Sequence, residues 1–426
     1  MNKKIKEPIE PVEPILSSTE TRRSGETTFV AMRHRNYQLY FGGQLISNIG
    51  TWMQVIAQAW VVYQLGHSEL TLGLVAFASA IPNLVVSPWG GVIVDRISRR
   101  KVLMLTQSGA MLLSFILAWL TFTNIVQEWH VIFLAALTGV ITAFDAPARQ
   151  AITPELVGKK DVANAIAMNS MMFNSARVVG PAIGGMMLAT VGAAWCFTVN
   201  GISFLAVLIG LWLMKLPPHR KSAQDTSPWK QLVGGFQYAA NNRDIKTLIL
   251  LSLVFSIFGV SYTTVLPAFV EKNLQLGATA FGWVNAVTGL GAVTGAFLLV
   301  HHISNNRRGL FLIITNIAFP VTLIAFAVTA YYPLSLVLAY LLGLGFMVQF
   351  TTINTLLQAR VEDDFRGRVM GLYTLSFFGF SPFGNLLMGA LGETFGLTFV
   401  MILFGVLSLI LSRIVLARNP GIKTLP

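Results

Sequence analysis

The sequence predicts an all-α integral membrane protein of twelve transmembrane helices, arranged as two pseudo-symmetric six-helix bundles. Three observations predict it: twelve apolar stretches, basic charge confined to alternate loops, and a weak repeat between the halves. A stretch of about 20 apolar residues crosses a hydrocarbon core of roughly 30 Å as a helix. The stretches lie near 38–64, 70–94, 102–124, 130–149, 163–190, 193–215, 245–270, 279–301, 309–330, 333–357, 367–391 and 396–417. All but two of the 30 Lys and Arg residues fall on the tails and loops of one side. Loops rich in Lys and Arg stay in the cytoplasm, which places both termini there. The exceptions are Lys272, on an outer loop, and Arg177, inside a span. A chain that is 54% hydrophobic and 11% charged is not an ordinary soluble domain. Its net charge of +12 faces anionic headgroups, and no separate basic domain exists to bind nucleic acid.

Taken in order, residues 1–36 are polar, with Pro-Glu alternation in IKEPIEPVEPI. They lack the apolar centre of a cleavable signal peptide and read as a disordered cytoplasmic tail. Span one then serves as an uncleaved anchor. Residues 37–215 form the first bundle, and 216–244 a cytoplasmic linker. Within the linker Trp229, Leu232, Val233 and Phe236 recur at i, i+3, i+4 and i+7, the pattern of a short helix lying on the inner membrane surface. Residues 245–417 form the second bundle and 418–426 a cytoplasmic tail. The halves echo each other at an offset of about 201: Pro181 matches Pro382, and Asp161 ahead of the first matches Glu362 ahead of the second. Two such halves enclosing a mid-membrane site is the plan of many secondary transporters. The lone Cys196 forms no internal disulfide, and neither metal-ligand spacing nor a phosphate-loop pattern occurs, so no cofactor, metal or nucleotide motor is expected.

The loop after span two reads GGVIVDRISRRK. Gly91 permits close helix approach, Asp95 sits at the cytoplasmic end, and Arg96, Arg99 and Arg100 fill the turn. A carboxylate at that depth needs a donor, from the arginines or from a helix N-terminus. Topology alone is the bland account of the arginines. Span four ends in FDAPARQA, where Asp145 and Arg149 are four apart and share a face. Thr138 and Thr142 extend that face into a polar stripe, which faces protein or a water-filled cavity. The pair either closes an intracellular gate or takes part in coupling.

Arg177 lies about 21 Å into span five at 1.5 Å per residue. At that depth an exposed Arg costs about 2.5–3.5 kcal/mol or more, and no acidic residue stands three or four positions away. It either binds carbonyls or a distant carboxylate as structural glue, or faces the cavity and attracts an anionic substrate group. Gly180, Pro181, Gly184 and Gly185 follow; the proline bends the helix and the glycines permit close packing. In span one Gln44, Asn48, Thr51 and Gln58 share a face, suited to binding substrate or to tying helices together.

The segment DRISRR resembles the signature loop of the major facilitator superfamily, G-x-x-x-D-(R/K)-x-G-(R/K)-(R/K), with Ser98 in place of its Gly. That resemblance implies the major facilitator fold, and a loop at Asp95, Arg96, Arg99 and Arg100 that pairs the halves at the cytoplasmic side. It also implies that Asp145 engages the loop arginines. Gly180-Pro181-x-x-Gly184-Gly185 resembles the fifth-span motif of the antiporter branches, although the upstream glycines of that motif are absent. With the opening span and FDAPARQA, the chain is similar to the branch that contains enterobactin-type siderophore exporters and macrolide efflux pumps. The likeness is strongest in the first half; His301-His302-Ile303-Ser304 is only a remnant of the second signature loop.

The family fold implies a central site lined by spans one, four, seven and ten. Ser252, Ser256 and Thr263 of span seven, and Gln349 and Thr352 of span ten, are then further cavity candidates. The expected function is export of a small organic solute across the inner membrane by alternating access, with proton antiport implied by family. The expected partners are that solute, protons and the bilayer, the protein acting as a monomer. A lipid or lysophospholipid flippase of the same fold is the alternative. A channel or membrane enzyme lacks support, since neither a filter motif nor a catalytic constellation of His, Ser or Cys is present.

Overall fold

A computed structural model describes residues 29–214, 228–301 and 308–424, and among these every regular element is helical. Span one is Arg35–Gly66, span two Glu69–Arg96 and span three Arg99–Phe122. Spans four and five fall within one long helix, Glu128–Thr190, divided at Gly158, whose φ of 71° is left-handed. Only glycine adopts that conformation readily, which is why the turn falls there. Span six is Ala193–Leu213, span eight Ala278–His301, span nine Arg308–Val328, span ten Tyr332–Arg360 and span twelve Leu397–Ala417.

Spans seven and eleven are irregular. Arg243–Val254 passes through a π segment, Phe255–Gly259, and a 3-10 turn, Ser261–Thr263, into Leu266–Lys272. Asp363–Thr374 passes through a second π segment, Leu375–Gly379, into Ser381–Phe395. Among the described residues ten helices are long and apolar enough to cross a membrane. Span one and span five are helical too but more polar, and Gln44 and Ser47 of span one are buried at 0% and 1% exposure. The repeat has a structural mark: Gly192 and Gly396, with φ of 89° and 90°, both cap the helix of their half's last span.

Within the first half, span one packs on the Glu128–Thr190 helix and on span six, and span three on span six. Within the second, span ten packs on spans eight and nine, and span nine on span twelve. The halves meet most extensively through two helix pairs, the Glu128–Thr190 helix with span eight and span two with span eleven, and span one also touches Leu266–Lys272. The repeat exchanges these pairs. Both cross on glycine. A methyl on Gly185 would overlap the Gly282 backbone, and one on Gly389 would lie 3.2 Å from the Gly73 Cα. Within the first half, a methyl on Gly180 would lie 2.8 Å from the Ile49 carbonyl oxygen and one on Gly184 3.0 Å from the Met53 Cα, so these two seat span five on span one.

Three expectations change. The close approach expected of Gly91 belongs to Gly90, where a methyl would lie 3.1 Å from the Ala143 carbonyl carbon; Gly91 faces open space. Within the tail expected to run to residue 36, Val30–Arg33 is a 3-10 turn docked on span five and span one already begins at Arg35. The Ala31 amide donates to Asn164 Oδ1 at 3.0 Å, and His34 Nε2 meets Asp161 Oδ2 at 2.8 Å. At the other terminus Pro420–Thr424 is a 3-10 turn rather than a free tail, its Ile422 buried and Asn419 donating to Asp244 Oδ1 at 2.8 Å. The linker helix is Pro228–Asn241, with Phe236 exposed and Tyr238 stacked 4.3 Å from Phe365; the side chains of Trp229, Leu232 and Val233 lie outside the described residues, as do residues 1–28, 215–227 and 302–307.

Gly185→Leu and Gly282→Leu are each expected to wedge the crossing apart, costing about 1–3 kcal/mol by overpacking. Spin-label distances between the halves at this end should lengthen and the melting temperature fall, whereas Gly91→Ala should leave both unchanged.

Candidate functional site

A cavity of about 440 Å³ lies between the halves, walled by spans one to eight. Span one contributes Thr51, Trp52, Gln54 and Gln58, span four Thr138, span five Arg177 and Pro181, and span seven Tyr262, Thr263 and Thr264. Among the lining residues Arg177 alone carries a formal charge. Its guanidinium carbon sits 4.9 Å from the Phe346 ring centroid and 5.6 Å from that of Trp52. On the opposite wall Gln54 Oε1 accepts from Ser114 Oγ at 2.8 Å and from Asn200 Nδ2 at 2.6 Å.

Beyond the cavity, at the end away from the termini, a polar latch joins the halves. Lys272 Nζ donates to Glu69 Oε1 at 2.6 Å, and Glu69 is only 2% exposed. Glu271 accepts from Gln64 and faces His67 Nδ1 at 3.2 Å. Glu393 accepts from Ser68 Oγ and, at 2.9 Å, from the Leu70 amide. Each of these links runs from the span one–two turn to the second half. At the termini-bearing end, the side-chain bonds among the described residues stay within one half. Arg99 pairs with Glu155, and Arg100 donates to the carbonyls of Trp212 at 2.7 Å and Met214 at 3.3 Å. Arg96 is exposed, and the Asp95 side chain lies outside the described residues.

Asp145 is buried and pairs with Arg149, which also donates to Gln44. Thr106 Oγ1 at 2.8 Å and Gln107 Nε2 at 2.7 Å complete its shell. Here the structure differs from the family-based expectation: Asp145 is held by Arg149 and span three, not by the signature-loop arginines. With the halves joined at the opposite end, Arg99 and Arg100 find acceptors inside their own half.

Of the cavity candidates, Gln58, Thr138, Arg177 and Thr263 line the wall. The others do not. Gln44 is buried against Arg149; Asn48 is half-buried off the wall; Thr142 donates to the Thr138 carbonyl at 2.8 Å. Ser256 donates to the Phe377 carbonyl and Ser376 to Ser252 at 3.3 Å, so the span seven serines join span eleven at the two π segments. Gln349 donates to Asn316 at 3.1 Å and Thr352 is buried beside it in the second half. A shared helix face identifies protein-facing residues, but neighbouring spans cover much of that face. Trp52, Gln54, Ser114, Asn200 and Tyr262 of the wall were missed, as was Phe346 against Arg177. Gln54 stands three after Thr51 and four before Gln58, and Asn200 is a lone amide in an apolar span, so both carried a signal. The aromatic residues carried none, because aromatics are common on every face of these spans.

This is the architecture of a multi-pass membrane transporter of the major facilitator superfamily. The chain belongs to the family of transmembrane secretion effectors, whose family model matches residues 26–422. It is 27% identical to the staphyloferrin A transporter of Staphylococcus aureus, over 90% of this chain and 96% of that one. It is also 27% identical to the multidrug efflux pump Tap of Mycolicibacterium fortuitum, over 87% and 94%. The enterobactin exporter EntS of Escherichia coli is 27% identical over 84% and 86%. The nucleoside transporter NupG superposes with a TM-score of 0.70 at 14% identity, over 92% of this chain and 99% of that one. A bacterial homologue of ferroportin in an inward-facing state gives 0.68 at 14%, over 92% and 99%. At such identities the solved structures show the fold.

Arg149→Met leaves Asp145 charged and buried without its partner, a loss of about 3–5 kcal/mol. The Asp145→Asn/Arg149→Met double variant is expected to recover most of it in thermal unfolding; equal losses would reject the pair as a unit. Lys272→Ala strands Glu69 and should loosen the latch. A membrane-impermeant maleimide applied at the latch end should then label Gln58→Cys (in a Cys196→Ser background) faster.

Proposed function

We propose that this protein is a secondary transporter of the bacterial inner membrane that exports a small amphipathic organic solute by alternating access. The observation that carries the reading is a cavity between two halves that, among the described residues, polar links join at one end. The inside-positive rule assigns the latch end to the outside, so the described state is one closed outward. Breaking the Glu69–Lys272, Glu271 and Glu393 links while the halves rock on their glycine crossings would expose the cavity outward. In that second state Arg96, Arg99 and Arg100 would exchange partners toward the second half, the gating role that the signature-loop resemblance implies.

Proton antiport is the coupling the fifth-span motif suggests. The cavity wall offers no Asp or Glu. The acids available to exchange protons are therefore Asp145 in the buried first-half network and the latch glutamates. The relatives named as exporters of enterobactin and of multiple drugs support outward transport, and the staphyloferrin A transporter supports a siderophore-like cargo.

Uptake into inside-out vesicles with an acid interior tests both parts, using enterobactin, staphyloferrin A and a macrolide. Saturable accumulation that collapses with a protonophore is expected. Accumulation indifferent to the pH gradient would reject antiport, and no saturable accumulation of any of the three would reject this choice of cargo.

A further inference from the structure

The cavity holds one fixed positive charge and nothing to neutralise it. Among the described residues the Arg177 guanidinium makes no ion pair and no hydrogen bond; it contacts Trp52 and Phe346 and lies near the Tyr262 hydroxyl. An aromatic ring packs against the face of a guanidinium, whereas the five N–H donors lie in its plane. The rings therefore leave the donors of a guanidinium that lines the cavity without an acceptor among the described residues. Guanidinium does not deprotonate at any accessible pH, so shedding a proton offers no relief when water is expelled. A second group has the same bias. The Gln54 carbonyl oxygen is occupied by Ser114 and Asn200, so the group it has left to offer is its amide N–H. Around these donors the wall is apolar, with Val55, Val62, Leu72, Val75 and Phe281. No carboxylate is present to hold a cation.

We propose that the solute is an amphipathic anion, its oxyanion paired with Arg177 and its flat apolar portion set against Trp52 and the apolar wall around it. This rests on the transport reading above and names the chemistry of that same cavity. The clamp also spans the two halves, since Arg177 belongs to span five and Phe346 to span ten. Rocking the halves parts the Phe346 ring from the guanidinium, so anion binding is sensitive to conformation.

A matched set of 1-naphthoate, 1-naphthalenemethanol and 1-naphthylmethylammonium, titrated against the purified full chain by calorimetry, tests the assignment. The carboxylate is expected to bind at least tenfold more tightly than the ammonium. Arg177→Gln should abolish that preference while changing the affinity of the alcohol by less than twofold, which also reports that the cavity is intact. Arg177→Lys should keep the preference for the anion at reduced affinity, and Trp52→Leu should weaken all three. Equal binding of carboxylate and ammonium, or an Arg177→Gln variant that binds 1-naphthoate as wild type does, overturns the proposal. Lysophosphatidylglycerol in the same titration separates a soluble anion from a lipid headgroup: tight binding of the lipid with none of 1-naphthoate overturns the assignment to a soluble solute. Normal anion binding without vesicle accumulation counts against export and leaves the anion site standing.

Discussion

Because the two halves meet most extensively through two helix pairs, both crossing at glycine near the latch end, the rest of the molecule is arranged around those crossings. Gly185 against Gly282 and Gly73 against Gly389 bring backbones into contact without side chains between them. Close backbone approach is what holds helices together where lipid removes the hydrophobic drive for association. Placed near one end, the crossings leave room between the helices above them, and that room is the cavity. They also bring the turn between spans one and two within reach of Glu271, Lys272 and Glu393, which is how a latch of short polar side chains becomes possible.

A second constraint is that an ionised group inside a bilayer must find a partner or water. Asp145 satisfies it locally, through Arg149, Thr106 and Gln107, and the result is a closed network in one half. Glu69 satisfies it across the halves, through Lys272, and the result is a contact that conformational change must break. Arg177 has aromatic faces but no acceptor, and its donors stay available to a ligand. The same physical requirement thus yields three different roles, decided by where the partner sits.

The two basic residues that topology left unexplained, Lys272 and Arg177, turned out to occupy the latch and the cavity. That is a consequence of the inside-positive rule: a Lys or Arg on the wrong side or inside a span is costly or unhelpful to orientation, and persists where it has a local partner or use. The π segments of spans seven and eleven had no such signature. Ser252 and Ser256 read as a polar face, and only the neighbouring Ser376 and Phe377 backbone shows that the face is spent on helix contact.

Hydropathy and charge determined the all-α membrane class, the order of the helices and the motif at Gly180–Gly185, because helix length and burial in lipid depend on local composition alone. Tertiary structure decided which polar face meets a cavity and which meets another helix: Gln58 and Thr263 line the wall, whereas Gln44, Gln349 and Thr352 are buried between spans. A helical face records only that lipid is unfavourable there. What replaces the lipid is set by helices distant in the chain, whose approach depends on packing that no single span encodes.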